Sequence, residues 1–101
     1  MEISDLKKGK YYRAKKVYYP NGLLNPTGEM LFRVIAVPQD SSPPEKFLAD
    51  KVLYYDNEEC WTTSSQLIFL YTLDIDSLEE LTRDQFRSLF RLIKAVRPIS
   101  F

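Results

Sequence analysis

The chain has no histidine, one cysteine, one tryptophan and three glycines in 101 residues. Without histidine it lacks the commonest general base and the commonest zinc ligand, and every Ser-His or Cys-His pair is excluded. Glycine is confined to Gly9, Gly22 and Gly28, so no glycine-rich phosphate loop can form. Cys60 alone cannot close an internal disulfide, and a reducing compartment is the default. Formal net charge is zero, so bulk charge gives no case for nucleic acid or for a membrane surface. The longest apolar run, Leu67 to Leu73, falls far short of the about 20 residues that a membrane helix needs. Met1 to Asp5 is polar and does not read as a signal peptide. Asn25-Pro26-Thr27 has the frame of a glycosylation sequon, but the central proline disqualifies it. The expectation is a cytoplasmic protein without membrane contact, cofactor or metal.

What is present is apolar and aromatic. Hydrophobic residues make up 45% of the chain, too many for a disordered segment, and seven tyrosines with six phenylalanines can fill a small core and leave a surplus for an interface. The length fits a single domain over residues 1–101. Charge is segregated along the chain. Residues 1–33 carry Lys7, Lys8, Lys10, Arg13, Lys15, Lys16 and Arg33 against Glu2, Asp5 and Glu29. Residues 40–80 hold ten acids against Lys46 and Lys51, and the end is basic again with Arg83, Arg87, Arg91, Lys94 and Arg97 against Asp84. A dipolar domain follows, with two charged faces able to meet different things.

Strands and turns are predicted up to residue 73 and a helix over about 77–96. The first strand is Lys10 to Tyr19, rich in residues that suit a pleated surface. Pro20-Asn21-Gly22 and Asn25-Pro26-Thr27-Gly28 then make the segment from Pro20 to Glu29 a long articulated loop. Met30 to Val37 reads as a strand buried on both faces, ended by Pro38 and followed by a loop with Pro43-Pro44. Lys46 to Tyr55 is a third strand, Asp56-Asn57 a turn, Glu58 to Thr63 a fourth strand, Ser64-Ser65-Gln66 a break and Leu67 to Leu73 a fifth strand. Two capping boxes compete for the helix start, Ser77-Leu78-Glu79-Glu80 and Thr82-Arg83-Asp84-Gln85. Beyond them Phe86, Leu89, Phe90, Ile93 and Val96 share one face, and Pro98 stops the helix.

This order resembles an SH3-like barrel. The residues that carry the resemblance are Lys8-Gly9-Lys10-Tyr11-Tyr12-Arg13, Phe32 to Val37, Lys51-Val52-Leu53-Tyr54-Tyr55, and Glu59-Cys60-Trp61 followed by Ser65 to Phe69. It is also similar to a short bacterial and phage domain of unknown function whose pattern runs Gly-x-Tyr, a valine-rich strand, a tyrosine strand and a tryptophan strand. The resemblance covers about residues 8–73. It implies an α+β fold in which a five-stranded antiparallel SH3-like barrel is followed by an amphipathic C-terminal helix, with a helical turn at Ser64 to Leu67. The alternative is a plain antiparallel sheet with the helix across one face. SH3-like barrels mostly bind peptides, proteins or nucleic acids, so the resemblance implies a binding module and leaves the partner open.

The candidate sites are few. Cys60 has Glu58 and Glu59 as neighbours, which oppose a thiolate, and it reads as structural. Asp74, Asp76, Glu79 and Glu80 form an acidic cluster without the spacing of a calcium loop, and acids at a helix start need no metal. Leu23 and Leu24 stand between turn residues, either as an exposed contact or folded back as a core plug. Tyr54 and Trp61 are anchors if exposed and core if not. Arg83, Arg87 and Arg91 are four apart and form one stripe of the helix, able to grip phosphates or an acidic surface or simply to be solvated. Those seven residues are the candidate protein-binding set. A second set is Lys7, Lys8, Lys10, Arg13, Lys15 and Lys16 interleaved with Tyr11 and Tyr18: cations for phosphates and rings for bases, as single-stranded nucleic acid requires. Its bland counterpart is a lysine-protected edge strand.

The expectation is a non-enzymatic module, a small bacterial or phage accessory protein that binds and modulates a protein partner. The alternatives are nucleic-acid binding through the basic first strand and a small-ligand or nucleotide-binding homo-oligomer, which needs a pocket lined with tyrosine and arginine.

Overall fold

In the computed structural model, which describes residues 6–37 and 45–96, the tyrosine-rich opening segment does not run as one strand. β1 (Tyr11–Ala14) ends at a bend through Lys15-Lys16, and β2 (Val17–Tyr18) leaves the main sheet to pair with β3 (Leu24–Asn25) in a small ribbon. The expected long loop is thus the tip of a hairpin, closed by hydrogen bonds from Tyr19 N to Leu23 O and from Gly22 N to Tyr19 O. Gly22, at φ +89°, supplies the left-handed residue that this tip requires. β4 (Glu29–Ala36) and β5 (Lys46–Tyr55) follow, then β6 (Cys60–Thr63) and β7 (Gln66–Phe69). Single turns of 3-10 helix occupy Leu70–Thr72 and Ile75–Ser77. β8 (Leu78–Leu81) and the helix α1 (Arg83–Val96) complete the described chain. The N-terminal residues 1–5, the proline loop at 38–44 and the Pro98 helix stop lie outside the described residues.

The barrel expectation is overturned. The main sheet is open, in the order β6-β5-β4-β1-β8 with β7 also on β5, and the described strands number eight. Two local outcomes keep it open. The strand expected over Leu67 to Leu73 stops at Phe69 and winds into a 3-10 turn, so β7 continues the hairpin with β5 instead of returning toward β1. The place beside β1 is filled by β8, drawn from residues whose acidic spacing suggested a helix start: Arg13 pairs with Glu79, and Ala14 with Leu78. Leu78 and Leu81 are buried there and Glu79 and Glu80 exposed. The expected helical turn at Ser64 to Leu67 is instead a two-residue bend leading into β7.

The observed arrangement is an α+β sheet with the helix across one face. The other face carries Tyr12, Phe32, Val34 and Phe47, with Val17, Leu70, Leu73 and Ile75 from the ribbon and the 3-10 segment in the same cluster. On the helix face, Phe86 and Ile93 pack with Leu31, Leu53, Tyr55, Cys60 and Leu81. The second capping box holds the helix start in both directions: Gln85 N donates to Thr82 Oγ1 at 3.1 Å, and Thr82 N to Gln85 Oε1 at 2.8 Å.

β5 changes phase midway. Phe47 and Ala49 face the first cluster in its first half, but Val52 and Tyr54 do so in its second. The step from Ala49 to Val52 is three positions where strict alternation allows two or four. Lys51 takes up the difference at φ +51°, a left-handed conformation that non-glycine residues rarely adopt. Across the hairpin Ala49 pairs with Gln66 and Val52 with Thr63, so this break lies opposite Ser64-Ser65.

Candidate functional site

The break in β5 opens a groove of about 420 Å³ between α1 and the sheet. Its apolar lining is Tyr11, Phe86 and Phe90. The Tyr11 and Phe86 rings lie 4.7 Å apart, centroid to centroid, and Phe86 and Phe90 5.6 Å apart. Lys51, Arg87 and Arg91 line the same groove, as do the hydroxyl residues Thr62, Thr63 and Ser64, and among the described residues no acid lines it. The Lys51 ammonium and the Arg33 guanidinium each stand 6.0 Å from the Tyr11 centroid, so this ring has two cations over it. Arg33 is itself committed to Asp50, with Nε donating to Oδ1 at 2.8 Å and Nη2 to Oδ2. These bonds hold the Asp50 carboxyl below its ordinary value, against the opposing pull of burial. Among the described residues, Lys51, Arg87 and Arg91 enter no ion pair.

The residues expected to bind protein are divided between the faces. Arg87 and Arg91 reach the groove; Arg83, one turn earlier, is exposed outside it. Tyr54 and Trp61 lie on the opposite face, stacked at 5.2 Å, with Tyr54 buried and Trp61 half-buried. Leu23 and Leu24 are 65% and 49% exposed at the ribbon tip, so they plug no core; the inward residue there is Asn25.

The nucleic-acid set is dispersed too. β1 is an interior strand between β4 and β8, which also removes the reading of Lys10 to Tyr19 as a protected edge. Arg13 is bound to Glu29 at 2.8 Å and Lys15 to Glu79 at 2.9 Å. Tyr11 faces the helix, and Tyr18 is half-buried in the ribbon. Lys7, Lys8, Lys10 and Lys16 are exposed.

Two acids of the cluster have structural roles: Asp74 caps Asp76 N at 3.0 Å, and Glu79 holds Lys15. Among the described residues no three His, Cys, Asp or Glu side chains are grouped to hold a metal, and no helix is long and apolar enough to cross a membrane. Cys60 is buried.

Sequence reasoning missed Lys51, Phe86, Phe90 and the Thr62-Thr63-Ser64 run as parts of one groove. A signal was available. Asp50-Lys51 interrupts the apolar run from Phe47 to Tyr55, and four hydroxyl residues in a row stand across the hairpin from it.

A second feature is the edge formed by β6 and β7, which no further strand pairs among the described residues. Leu70 N donates to Glu45 O, so by antiparallel alternation Gln66 and Ile68 bond toward β5. Leu67 and Phe69 therefore turn their backbone groups outward; of these, Phe69 O accepts from the Thr72 hydroxyl at 2.6 Å. Leu67, Phe69 and the following Tyr71 are 47%, 42% and 60% exposed, with the last two rings 5.8 Å apart.

No family model, no curated protein and no solved structure matches this chain.

Proposed function

We propose that this domain is a non-catalytic module that captures an extended segment of a protein partner along β7. The observation that carries the reading is the coincidence, on one short edge strand, of outward backbone groups with exposed Leu67 and Phe69. An edge strand is a template for another chain, and proteins ordinarily blunt it with lysine, proline or cover. β7, Gln66-Leu67-Ile68-Phe69, contains neither lysine nor proline, and among the described residues no further strand pairs with its outer side. Strand addition would draw affinity from main-chain hydrogen bonds and specificity from alternate side chains, here Leu67 and Phe69, with Tyr71 extending the patch. Burial, with Glu29 adding to it, pushes the Tyr55 hydroxyl up to about 12, and burial together with Asp56 raises Tyr54 as well. Both shifts lead away from the pH at which an acid or base is useful.

The test is affinity capture with tagged protein, with and without nuclease, comparing wild type, Leu67→Glu/Phe69→Glu and Arg87→Gln/Arg91→Gln. The expected result is one stoichiometric protein, insensitive to nuclease, kept by the arginine variant and lost by the edge variant. Recovery indifferent to the edge substitutions, or of nucleic acid alone, contradicts the reading.

A further inference from the structure

We infer that the groove between α1 and the β5–β6 segment is a second, independent site that takes a small ligand with a phosphoryl group on a flat ring, of the nucleoside monophosphate class. Its size, about 420 Å³, lies in the range of small-molecule pockets. Its chemistry is divided as such a ligand is divided. Lys51, Arg87 and Arg91 line it, with no acid in the lining among the described residues, which suits a group carrying about −1.5 to −2 charges and three acceptor oxygens better than a single carboxylate. Arg87 and Arg91 are one helical turn apart, so their planar forks can approach one phosphoryl group together. Thr62, Thr63 and Ser64 add hydroxyl donors on the sheet side. The half-buried rings of Tyr11 and Phe90, with Phe86 behind them, offer the apolar surface against which a base lies.

Backbone geometry points the same way. Lys51 is the one non-glycine residue with positive φ among the described residues, and it lines this groove. Asparagine or glycine would hold that conformation with less strain. A residue that is poor for the backbone but places an ammonium over Tyr11 is the pattern expected where strain is kept for a site.

The experiment is titration calorimetry on the full chain with AMP, UMP, adenosine and orthophosphate, using wild type, Arg87→Gln/Arg91→Gln and Lys51→Gly. Arg87 and Arg91 are exposed and glutamine keeps helix propensity, so unchanged far-UV circular dichroism is expected for that variant. The expected result is saturable binding of at least one nucleoside monophosphate, weakened roughly tenfold or more in both variants. Orthophosphate binds more weakly and adenosine more weakly still. Lys51→Gly gives opposite signs, a raised thermal midpoint with weakened binding, which a purely structural lysine would not produce. The inference is overturned if no monophosphate binds at millimolar concentration, if binding is indifferent to both variants, or if orthophosphate binds as tightly as the nucleotides. It is also overturned if the groove takes only an acidic peptide such as hexaglutamate. Retained nucleotide binding by Leu67→Glu/Phe69→Glu separates this site from the β7 edge.

Discussion

Tyr54 and Trp61 face each other across the β5–β6 ladder with ring centroids 5.2 Å apart, and the Tyr54 hydroxyl extends past this stack to join the ribbon to the sheet. It donates to Asp56 Oδ2 at 2.6 Å and accepts from the Asn25 side-chain amide. Asn25 is the one buried polar residue among those described, and its Oδ1 accepts from Gly28 N at 3.1 Å. The ribbon that displays Leu23 and Leu24 is therefore positioned by a buried polar chain, not by its own two residue pairs.

Removing the hydroxyl strands a buried donor. Tyr54→Phe is expected to cost about 1–3 kcal/mol, because the Asn25 amide loses its acceptor inside the protein. Urea unfolding followed by tryptophan fluorescence measures this. A loss below a few tenths of a kcal/mol would mean that the chain from Gly28 to Asp56 does not hold the ribbon.

Gly28 is fixed by close approach. A Cβ there would stand 2.5 Å from Asn25 Nδ2 and 2.6 Å from Val17 Cγ2. Gly28→Ala is expected to destabilise by about 1–3 kcal/mol, since the neighbours are buried and the Asn25 amide is held by Tyr54. A thermal midpoint equal to wild type would contradict the packing described for this corner.

The Arg33–Asp50 pair gives a pH signature. Because Arg33 holds the Asp50 carboxyl below its ordinary 3.8, the pair's stabilisation is full above that value and is lost as the pH falls through the lower, folded one. Asp50→Asn is expected to be less stable than wild type by about 1 kcal/mol at pH 7, in keeping with a half-buried bidentate pair. The difference should close on titration toward pH 2. Unfolding midpoints at the two pH values test this, and a pH-independent gap contradicts it.

The parts of the fold legible in the sequence were those governed by local chemistry. Lys46–Tyr55 occupies the expected bounds, and Thr82 and Gln85 form the expected capping box. Asp56 makes the expected turn by accepting from Glu58 N and Glu59 N, although β6 then starts at Cys60. What was not legible depended on partners distant in sequence. Ser77-Leu78-Glu79-Glu80 has the spacing of a helix start, yet Arg13 on β1 and Lys15 in the bend after it offer Glu79 counter-charges, and it becomes a strand. Lys15-Lys16 looked like strand interior, yet Lys16 O receives Asp74 N and its N–H goes to Ser77 Oγ, which ties the bend to the 3-10 segment. The candidate sites failed for a related reason. Arg87 and Arg91 were visible as a stripe, but their neighbours in the groove come from three strands or strand ends and from a left-handed lysine that no periodicity announces.

The central claim is capture of a partner segment by β7, and its most direct measurement is site-specific photocrosslinking. A photoreactive phenylalanine analogue at position 69 should link to one short contiguous segment of a single protein, with nuclease present, while the same analogue at position 92, on the exposed outer flank of α1, should not. Links from position 92 but not 69, links only to a second copy of this chain, or links abolished by nuclease would contradict the account.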